Sequence, residues 1–352
     1  MTTVHVSASR EYDVLIGRGL LDSLGEVVRA ATKAQTAVVI AGDRVFPLYG
    51  ARAAASLEAA GLRTLTYVIP HGEQHKTLET YGSLLRFLSE NRLTRTDVLI
   101  ALGGGVTGDL TGFAAATYQR GIDFVQVPTT LLAAVDSSVG GKTAVDLPTG
   151  KNQVGAFWQP AAVLCDPELM GTLPEDEFRC GTAEVVKYGM LGSAAFFESL
   201  ERHGVKERLE DVICTCVEMK RDIVREDEFD RGRRQSLNLG HSFGHAVEAC
   251  SRFTILHGQA VAIGMALITR AAVKRGDCPQ EALERLVALL ERFGLPTGTD
   301  YGADELFAAL GTDKKRSGSS MHLVIPEDIG RCRIEAMPLD EVRELLRLGG
   351  VQ

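Results

Sequence analysis

No stretch of this sequence is apolar for long enough to cross a bilayer, which takes about 20 consecutive apolar residues, so a membrane-spanning helix is excluded. Basic residues are in deficit: Lys and Arg number 38 against 46 Asp and Glu, a net charge of −8, which argues against a nucleic-acid partner. The first residues, MTTVHVSASREYDV, lack the basic-then-apolar order of a secretory signal, and the expected location is the cytoplasm. Seven cysteines stand at 165, 180, 214, 216, 250, 278 and 332, an odd number without a framework, so reduced thiols used in packing are expected. Cys214 and Cys216 are too close for a CxxC metal or redox site. Internal repeats and low-complexity tracts are missing too. What is present is an ordinary globular composition, 352 residues with 45% hydrophobic, long enough for two domains.

Through residue 172 the pattern alternates strand and helix. VHVSA, YDVLI, TAVVIA (36–41), LTYVI (65–69), VLIAL (98–102) and FVQV (124–127) read as strands, with helical patterns over 20–31, 45–60, 77–91 and 107–117. Strands alternating with helices predict a Rossmann-like parallel sheet covered on both faces. From Pro174 helical patterns take over: 177–191, 194–203, 209–226, 237–250, 258–275, 280–293 and 303–310. A short hairpin, MHLVIP then RCRIEA, and a helix over 339–348 follow. The fold class expected is an α/β N-terminal domain over 1–173 and a mainly α-helical C-terminal domain over 174–352.

The segment SLNLGHSFGHAVEACSRFTILHGQ (236–259) holds three of the eight histidines. Neutral imidazole is a common zinc ligand, and an open catalytic site takes three protein ligands plus water or substrate. His241 and His245 are four apart and stack on one helix face, so spacing alone favours them as the ligand pair, with His257 beside Gly258.

GGGVTGD (103–109) follows a strand and opens a helix, and Gly103, Gly105 and Gly108 satisfy GxGxxG. Such glycines let backbone N–H groups approach a pyrophosphate at a helix N-terminus. An acidic ribose partner about twenty residues on would be Asp123, but that lies at the amino end of a strand, whereas ligands bind at carboxyl ends. Asp43, after TAVVIA, is at the correct end. HGEQHK (71–76) and PTT (128–130) follow strands on the same edge, and four such loops read as a dinucleotide site. DSSVGGKT (136–143) ends like a P-loop, yet begins with Asp and follows no strand directly; Lys142 is read as a phosphate contact without nucleotide-triphosphatase machinery.

Basic residues accompany these segments: Arg120, Lys142, Lys151 with Asn152 in the glycine-bounded loop TGKNQVGAF, Lys187 three after Glu184, Lys220, Arg234, and Lys314 with Lys315. In an acidic chain this set suits a substrate carrying phosphate and carboxylate.

At GEQHKT, GGGVTGD, RGI, VQVPTTLLAAVDSSVGGKTAV, GKNQVGAF, GTAEVVKYG, LNLGHSFGHAVE, LHGQAVAIGM and DKK the sequence resembles the 3-dehydroquinate synthases of the sugar-phosphate cyclase group. The resemblance implies metal ligands Glu184, His241 and His257, zinc or cobalt being the ion, and moves His245 to the phosphate side. It implies NAD as cofactor, with contacts at Asp43, Gly72, Glu73, Lys76, Gly104, Gly105, Val106, Asp109, Thr129, Thr130, Lys142, Lys151 and Thr172. Substrate phosphate contacts map to Lys142, Asn152, Lys187 and His245, with Arg120 supplied by a second subunit of a homodimer. Carboxylate contacts map to Lys220, Arg234 and a lysine of Lys314–Lys315, and hydroxyl or water contacts to Asp136 and Asn238; Lys151 joins the substrate set. The reaction implied converts 3-deoxy-arabino-heptulosonate 7-phosphate into 3-dehydroquinate and phosphate in the shikimate route to aromatic amino acids. It proceeds by oxidation with NAD at C5, β-elimination of phosphate, return of the hydride, and aldol closure.

Two positions depart from the family pattern. Asp230 stands where Glu is common, and GRR (232–234) replaces GLR, so assigning the arginine to Arg234 rather than Arg233 rests on the four-residue step to Asn238. Rival readings are a cyclase acting on a sedoheptulose or amino-sugar phosphate, a metal-dependent alcohol dehydrogenase, and a non-enzymatic binding module. Metal ligands together with a nucleotide loop argue against the last.

Overall fold

Runs of β-branched and small residues build the centre of a seven-stranded sheet in the computed structural model, which describes residues 1–252, 254–310, 316–317 and 320–351. Its strands are β1 (Thr2–Val6), β2 (Tyr12–Ile16), β3 (Thr36–Gly42), β4 (Arg63–Ile69), β5 (Val98–Gly103), β6 (Asp123–Pro128) and, after a hairpin of β7 (Lys142–Leu147) and β8 (Gly150–Phe157), β9 (Ala162–Cys165). The order is β1-β2-β9-β6-β5-β3-β4; only the edge strand β1 runs antiparallel to its neighbour.

Helices α1 (Leu24–Ala31), α2 (Ala51–Ala59), α3 (Leu78–Glu90) and α4 (Gly105–Thr117) connect the strands. Because side chains alternate along a strand, both faces are apolar. Val39, Val98, Ile100 and Val125 pack with Leu24, Val28 and Leu57 of α1 and α2 on one face. Val38, Ile40, Leu99 and Phe124 pack with Leu84, Leu88, Leu110 and Phe113 of α3 and α4 on the other. The six strands expected from sequence are all present. β7, β8 and β9 were not anticipated, and TGKNQVGAF, expected as a loop, is strand β8, paired antiparallel with β7. Its Gly and Asn content hid a ladder that only pairing with β7 stabilises.

The remaining elements are α5 (Glu175–Gly192), α6 (Ala194–His203), α7 (Leu209–Glu226), α8 (His241–Cys250), α9 (His257–Arg275), α10 (Gln280–Arg292), α11 (Ala303–Leu310), a small antiparallel sheet of β10 (Arg316–Ser317), β11 (Ser320–Asp328) and β12 (Arg331–Pro338), and α12 (Leu339–Leu348). Packing divides the chain into two units, Met1–Pro174 with Ile213–Glu228, and Glu175–Val212 with Phe229–Gln352. Most of α7 therefore groups with the sheet, although the division expected near residue 173 put it with the helices. Polar contacts join this segment to the sheet unit: Lys220 binds Asp136, and Glu228, just past α7, accepts from Ser9 N and Oγ and from Gln159.

Within the second unit α9 is buried along most of its length, as expected of a helix apolar on nearly every side. Close crossings need glycine. A Cβ at Gly264 would lie 1.9 Å from Gly240 O, and one at Gly258 would lie 2.1 Å from Cys180 O. The helix expected over 237–250 is broken: 233–238 forms a 3-10 turn, Gly240 adopts φ 76°, and α8 starts at His241. Asn238 therefore does not share a helix with His241.

Candidate functional site

The close crossings of α9 with α8 and α5 bring four side chains together. Glu184 of α5 is 1% exposed. Its Oε1 lies 3.5 Å from His241 Nε2 and 3.4 Å from His257 Nε2, while Oε2 receives Lys187 Nζ at 2.5 Å. Zn–N and Zn–O bonds of about 2.0–2.2 Å in a tetrahedron put ligand atoms about 3.3–3.6 Å apart, so the two measured edges fit a small divalent cation. His241 Nδ1 lies 3.1 Å from Leu239 O, to which an Nδ1–H donates, leaving Nε2 with its lone pair. Glu248 Oε1 sits 3.5 Å from His257 Nδ1. Burial by itself pulls His257 down, but the Glu184 and Glu248 carboxylates outweigh it and push it up to about 9.

His245 is not in the Glu184 group: its Nε2 is 4.0 Å from Glu248 Oε2. Glu248, His245 and His257 form a second cluster, but that 4.0 Å separation is wider than a tetrahedral edge, and the contacts use different oxygens. The Glu184–His241–His257 set fits a metal better, so the pairing suggested by i,i+4 spacing is not the one the geometry favours. Glu248 escaped the sequence reading, although it lies three after His245 and seven after His241, on the face the histidines share.

Elsewhere in the second unit, Arg234 is 1% exposed whereas Arg233 is exposed, so the arginine turned into the protein is Arg234. Asp230 holds a left-handed φ of 58°, and Asn238 is partly buried. Lys314 and Lys315 lie outside the described residues.

In the first unit the sheet's carboxyl edge gathers the loops expected to meet a dinucleotide. Asp43 N donates to Ile69 O at 2.9 Å, and Asp43 Oδ1 accepts from His71 N at 3.2 Å. Thr129 N donates to Gly103 O at 3.0 Å. Gly104 precedes α4, and no side chain caps the helix, so Gly105 and Val106 open it with amides available to an anion. A Cβ at Gly104 would meet Thr130 Cγ2 at 2.9 Å, which explains glycine there. Gly72 takes φ 104° before Glu73, and Thr172 Oγ1 shares a 2.7 Å hydrogen bond with Tyr49 OH. Asp123, rejected as a ribose partner, is occupied at the opposite edge by Arg10 at 2.7 Å.

A polar chain centred on the buried Lys76 links this edge to the hairpin. Lys76, 3% exposed, reaches Asp109 Oδ2 and Asn152 Oδ1, both at 2.6 Å, with Glu73 at 3.7 Å. Asn152 N donates to Asp146 Oδ1 at 2.7 Å. Burial opposes the Lys76 charge, but Asp109, Glu73 and Asp146 outweigh it and hold the ammonium above its usual range. Asn152 adopts φ 53°, Lys151 is partly buried, and Lys142 is exposed at the start of β7. A strand, not a helix, follows Gly141, so the segment lacks the helix N-terminus of a P-loop. Lys220 Nζ donates to Asp136 O at 2.6 Å and pairs with its carboxylate. Arg120 lies exposed on the turn before β6, at the amino edge, with φ 66°.

All seven cysteines are free thiols; Cys165, Cys180, Cys216 and Cys278 are buried, while Cys214, Cys250 and Cys332 are partly buried.

A sheet with an uncapped glycine turn in the first unit and a buried carboxylate–imidazole cluster in the second define a class, the two-unit α/β proteins with a nucleotide-type loop and a candidate metal site. Solved members of similar fold include 2-epi-5-epi-valiolone synthase from Streptomyces hygroscopicus subsp. jinggangensis 5008, with NAD+ and Zn2+ bound, 29% identical with a TM-score of 0.88 over 98% of this chain and 99% of that one. Another is 2-deoxy-scyllo-inosose synthase complexed with carbaglucose-6-phosphate, NAD+ and Co2+, 26% identical with a TM-score of 0.87 over 98% of this chain and 99% of that one. Family models described as 3-dehydroquinate synthase N-terminal and C-terminal match residues 66–180 and 181–316. The 3-dehydroquinate synthase of Streptococcus suis (strain 05ZYH33) is 44% identical over 344 residues, 96% of this chain and 97% of its own length. The chain belongs to the 3-dehydroquinate synthase family and is an enzyme, a lyase-type cyclase.

Proposed function

We propose that this chain converts 3-deoxy-arabino-heptulosonate 7-phosphate to 3-dehydroquinate and phosphate. The observation that carries the reading is the convergence of Glu184, His241 and His257 on one point, in a chain 44% identical across nearly its full length to a 3-dehydroquinate synthase. Identity to the solved inosose and valiolone cyclases is only 26% and 29%, which favours the dehydroquinate reaction over a sister cyclisation.

NAD, when bound, supplies reversible hydride transfer at the substrate's C5 carbinol. A divalent zinc or cobalt ion, when bound, polarises the neighbouring hydroxyl oxygens. The chain's own residues do the rest. Asp43 is assigned to the ribose hydroxyls, and the amides of Gly104, Gly105 and Val106 to the pyrophosphate, with Thr129, Thr130, Gly72, Glu73 and Thr172 lining the same edge. Burial raises the Asp109 carboxyl above the usual carboxylate range, Lys76 opposes that rise, and the same ammonium aims Asn152. In the first unit Lys142, Lys151 and Asn152 are assigned to substrate phosphate, and Lys220, through its grip on Asp136, to carboxylate and hydroxyl. In the second, Lys187 neutralises Glu184 Oε2 so that Oε1 alone faces the imidazoles. His245 is assigned to phosphate, Arg234 to carboxylate, and Asn238 and Asp230 to hydroxyl or water. Anion-binding residues inside a chain of net charge −8 give selectivity for a doubly anionic acid sugar phosphate.

The proposed working form is a cytoplasmic homodimer in which Arg120 serves the partner's site. An arginine at the amino edge of the sheet lies at the wrong end of β6 for its own subunit's dinucleotide loops.

The test is phosphate release from the heptulosonate phosphate with NAD at substoichiometric concentration. Many turnovers per NAD with no net NADH are expected. Product and NADH rising together would indicate a dehydrogenase, and preference for sedoheptulose 7-phosphate would indicate the sister cyclase.

A further inference from the structure

We infer that Glu248 is a positioning residue of the metal centre, holding the His257 ring through Nδ1 so that Nε2 faces Glu184 and His241. The inference rests on the reading of those three residues as metal ligands.

Glu248 is 2% exposed on α8. A carboxylate taken out of water is costly unless hydrogen-bonded or paired. Its Oε1 is 3.5 Å from His257 Nδ1, and Oε2 is 4.0 Å from His245 Nε2. The two nitrogens of His257 thus face different carboxylates: Nδ1 faces Glu248, and Nε2 faces Glu184 Oε1 at 3.4 Å. With the proton on Nδ1 donated to Glu248, the lone pair lies on Nε2, at the point where Glu184 and His241 converge.

The other imidazole is set in the same way by a different acceptor. His241 Nδ1 has Leu239 O at 3.1 Å. A main-chain carbonyl is neutral, whereas Glu248 is a carboxylate, so the two rings are held by acceptors of different kinds. His257 is also the first residue of α9. A ligand at a helix end gains most from an outside partner that holds its rotamer. Outer partners of this kind raise ligand basicity, and their loss typically weakens metal binding about 10–100-fold.

The experiment measures Zn2+ affinity of the full chain by competition with a chromophoric chelator, for Glu248→Ala, Glu248→Gln and His257→Ala. Glu248→Ala is expected to bind Zn2+ about 10–100-fold more weakly than wild type. Glu248→Gln, whose amide oxygen still accepts from Nδ1–H, should recover part of that loss. The visible spectrum of the Co2+-loaded protein should change in Glu248→Ala and stay close to wild type in Glu248→Gln. Glu248→Met, similar in volume and unable to accept a hydrogen bond, replaces the alanine variant should that one not fold. A folded Ala or Met variant with wild-type Zn2+ affinity and Co2+ spectrum overturns the inference, even with a lowered melting temperature. If His257→Ala also binds Zn2+ like wild type, the ligand reading itself has failed, and the inference falls with it.

Discussion

Glu184 divides its two oxygens between opposite tasks, one against Lys187 and one toward His241 and His257. The division predicts which histidine matters to the ion. His257→Ala and Glu184→Ala should lose bound metal, while His245→Ala keeps it and turns over poorly; metal content by atomic emission decides. Zinc retained in His257→Ala and lost from His245→Ala would restore the i,i+4 pair. The thiols give a second residue-scale prediction. Burial disfavours the charged thiolate and pushes Cys165 and Cys332 up to about 12 and Cys278 up to about 11. At pH 8 a thiol of pKa about 12 is roughly one part in ten thousand thiolate, against about a quarter for an ordinary thiol near 8.5. Native Cys332, although partly accessible, should therefore resist iodoacetamide at pH 8 and react faster as pH rises toward its pKa. Peptide mass mapping checks it, with urea-unfolded chain as the fast reference.

Helix α9 shows how an element's sequence serves a site it barely contains. Only His257 is a candidate ligand, yet the glycines that face α5 and α8 set where that ligand stands. Gly258 N lies 2.9 Å from Cys180 Sγ, and its missing Cβ makes room for the α5 main chain, one turn from Glu184. Gly258→Ala should force α5 and α9 apart. A loss of about 1–3 kcal/mol is expected from overpacking against backbone, which cannot swing away like a side chain. Urea unfolding checks the stability. Weaker zinc binding by the folded variant would show that the crossing also sets ligand geometry, whereas unchanged stability would show that the helices yield. Hairpin β7–β8 carries Lys142, Lys151 and Asn152, and Asp146 and Lys76 hold Asn152 in place.

At the scale of the whole molecule the proposed dimer has a sharp test. If Arg120 acts in the partner's site, mixing an Arg120→Ala chain with a His257→Ala chain yields heterodimers with one site carrying both lesions and one carrying neither. Activity should return to about half of wild type per heterodimer, since distant independent sites add. Subunit exchange demonstrated by mass spectrometry with no recovery would place Arg120 in its own subunit's site or outside any site.

Much of this was legible in the chain itself. Short apolar runs located the sheet strands β1 to β6 and helical patterns the helices, because a strand buried on both faces and a helix buried on one each leave a local mark in the sequence. Asp43 and the Gly104–Gly105 turn could be placed on one edge because parallel strands share a direction. The order of β9 beside β2 and β6, the β7–β8 ladder and the return of α7 to the sheet were decided by tertiary packing. Four residues of β9 carry too little periodicity to announce a strand, and a ladder's hydrogen bonds lie between segments rather than within them. The same holds at the site. Spacing could bring His241 and His245 together on one helix, since four residues make about one turn. Only the approach of α5 and α9, permitted by missing Cβ atoms, chose Glu184 and His257 as the partners of His241 and gave Glu248 a nitrogen to hold.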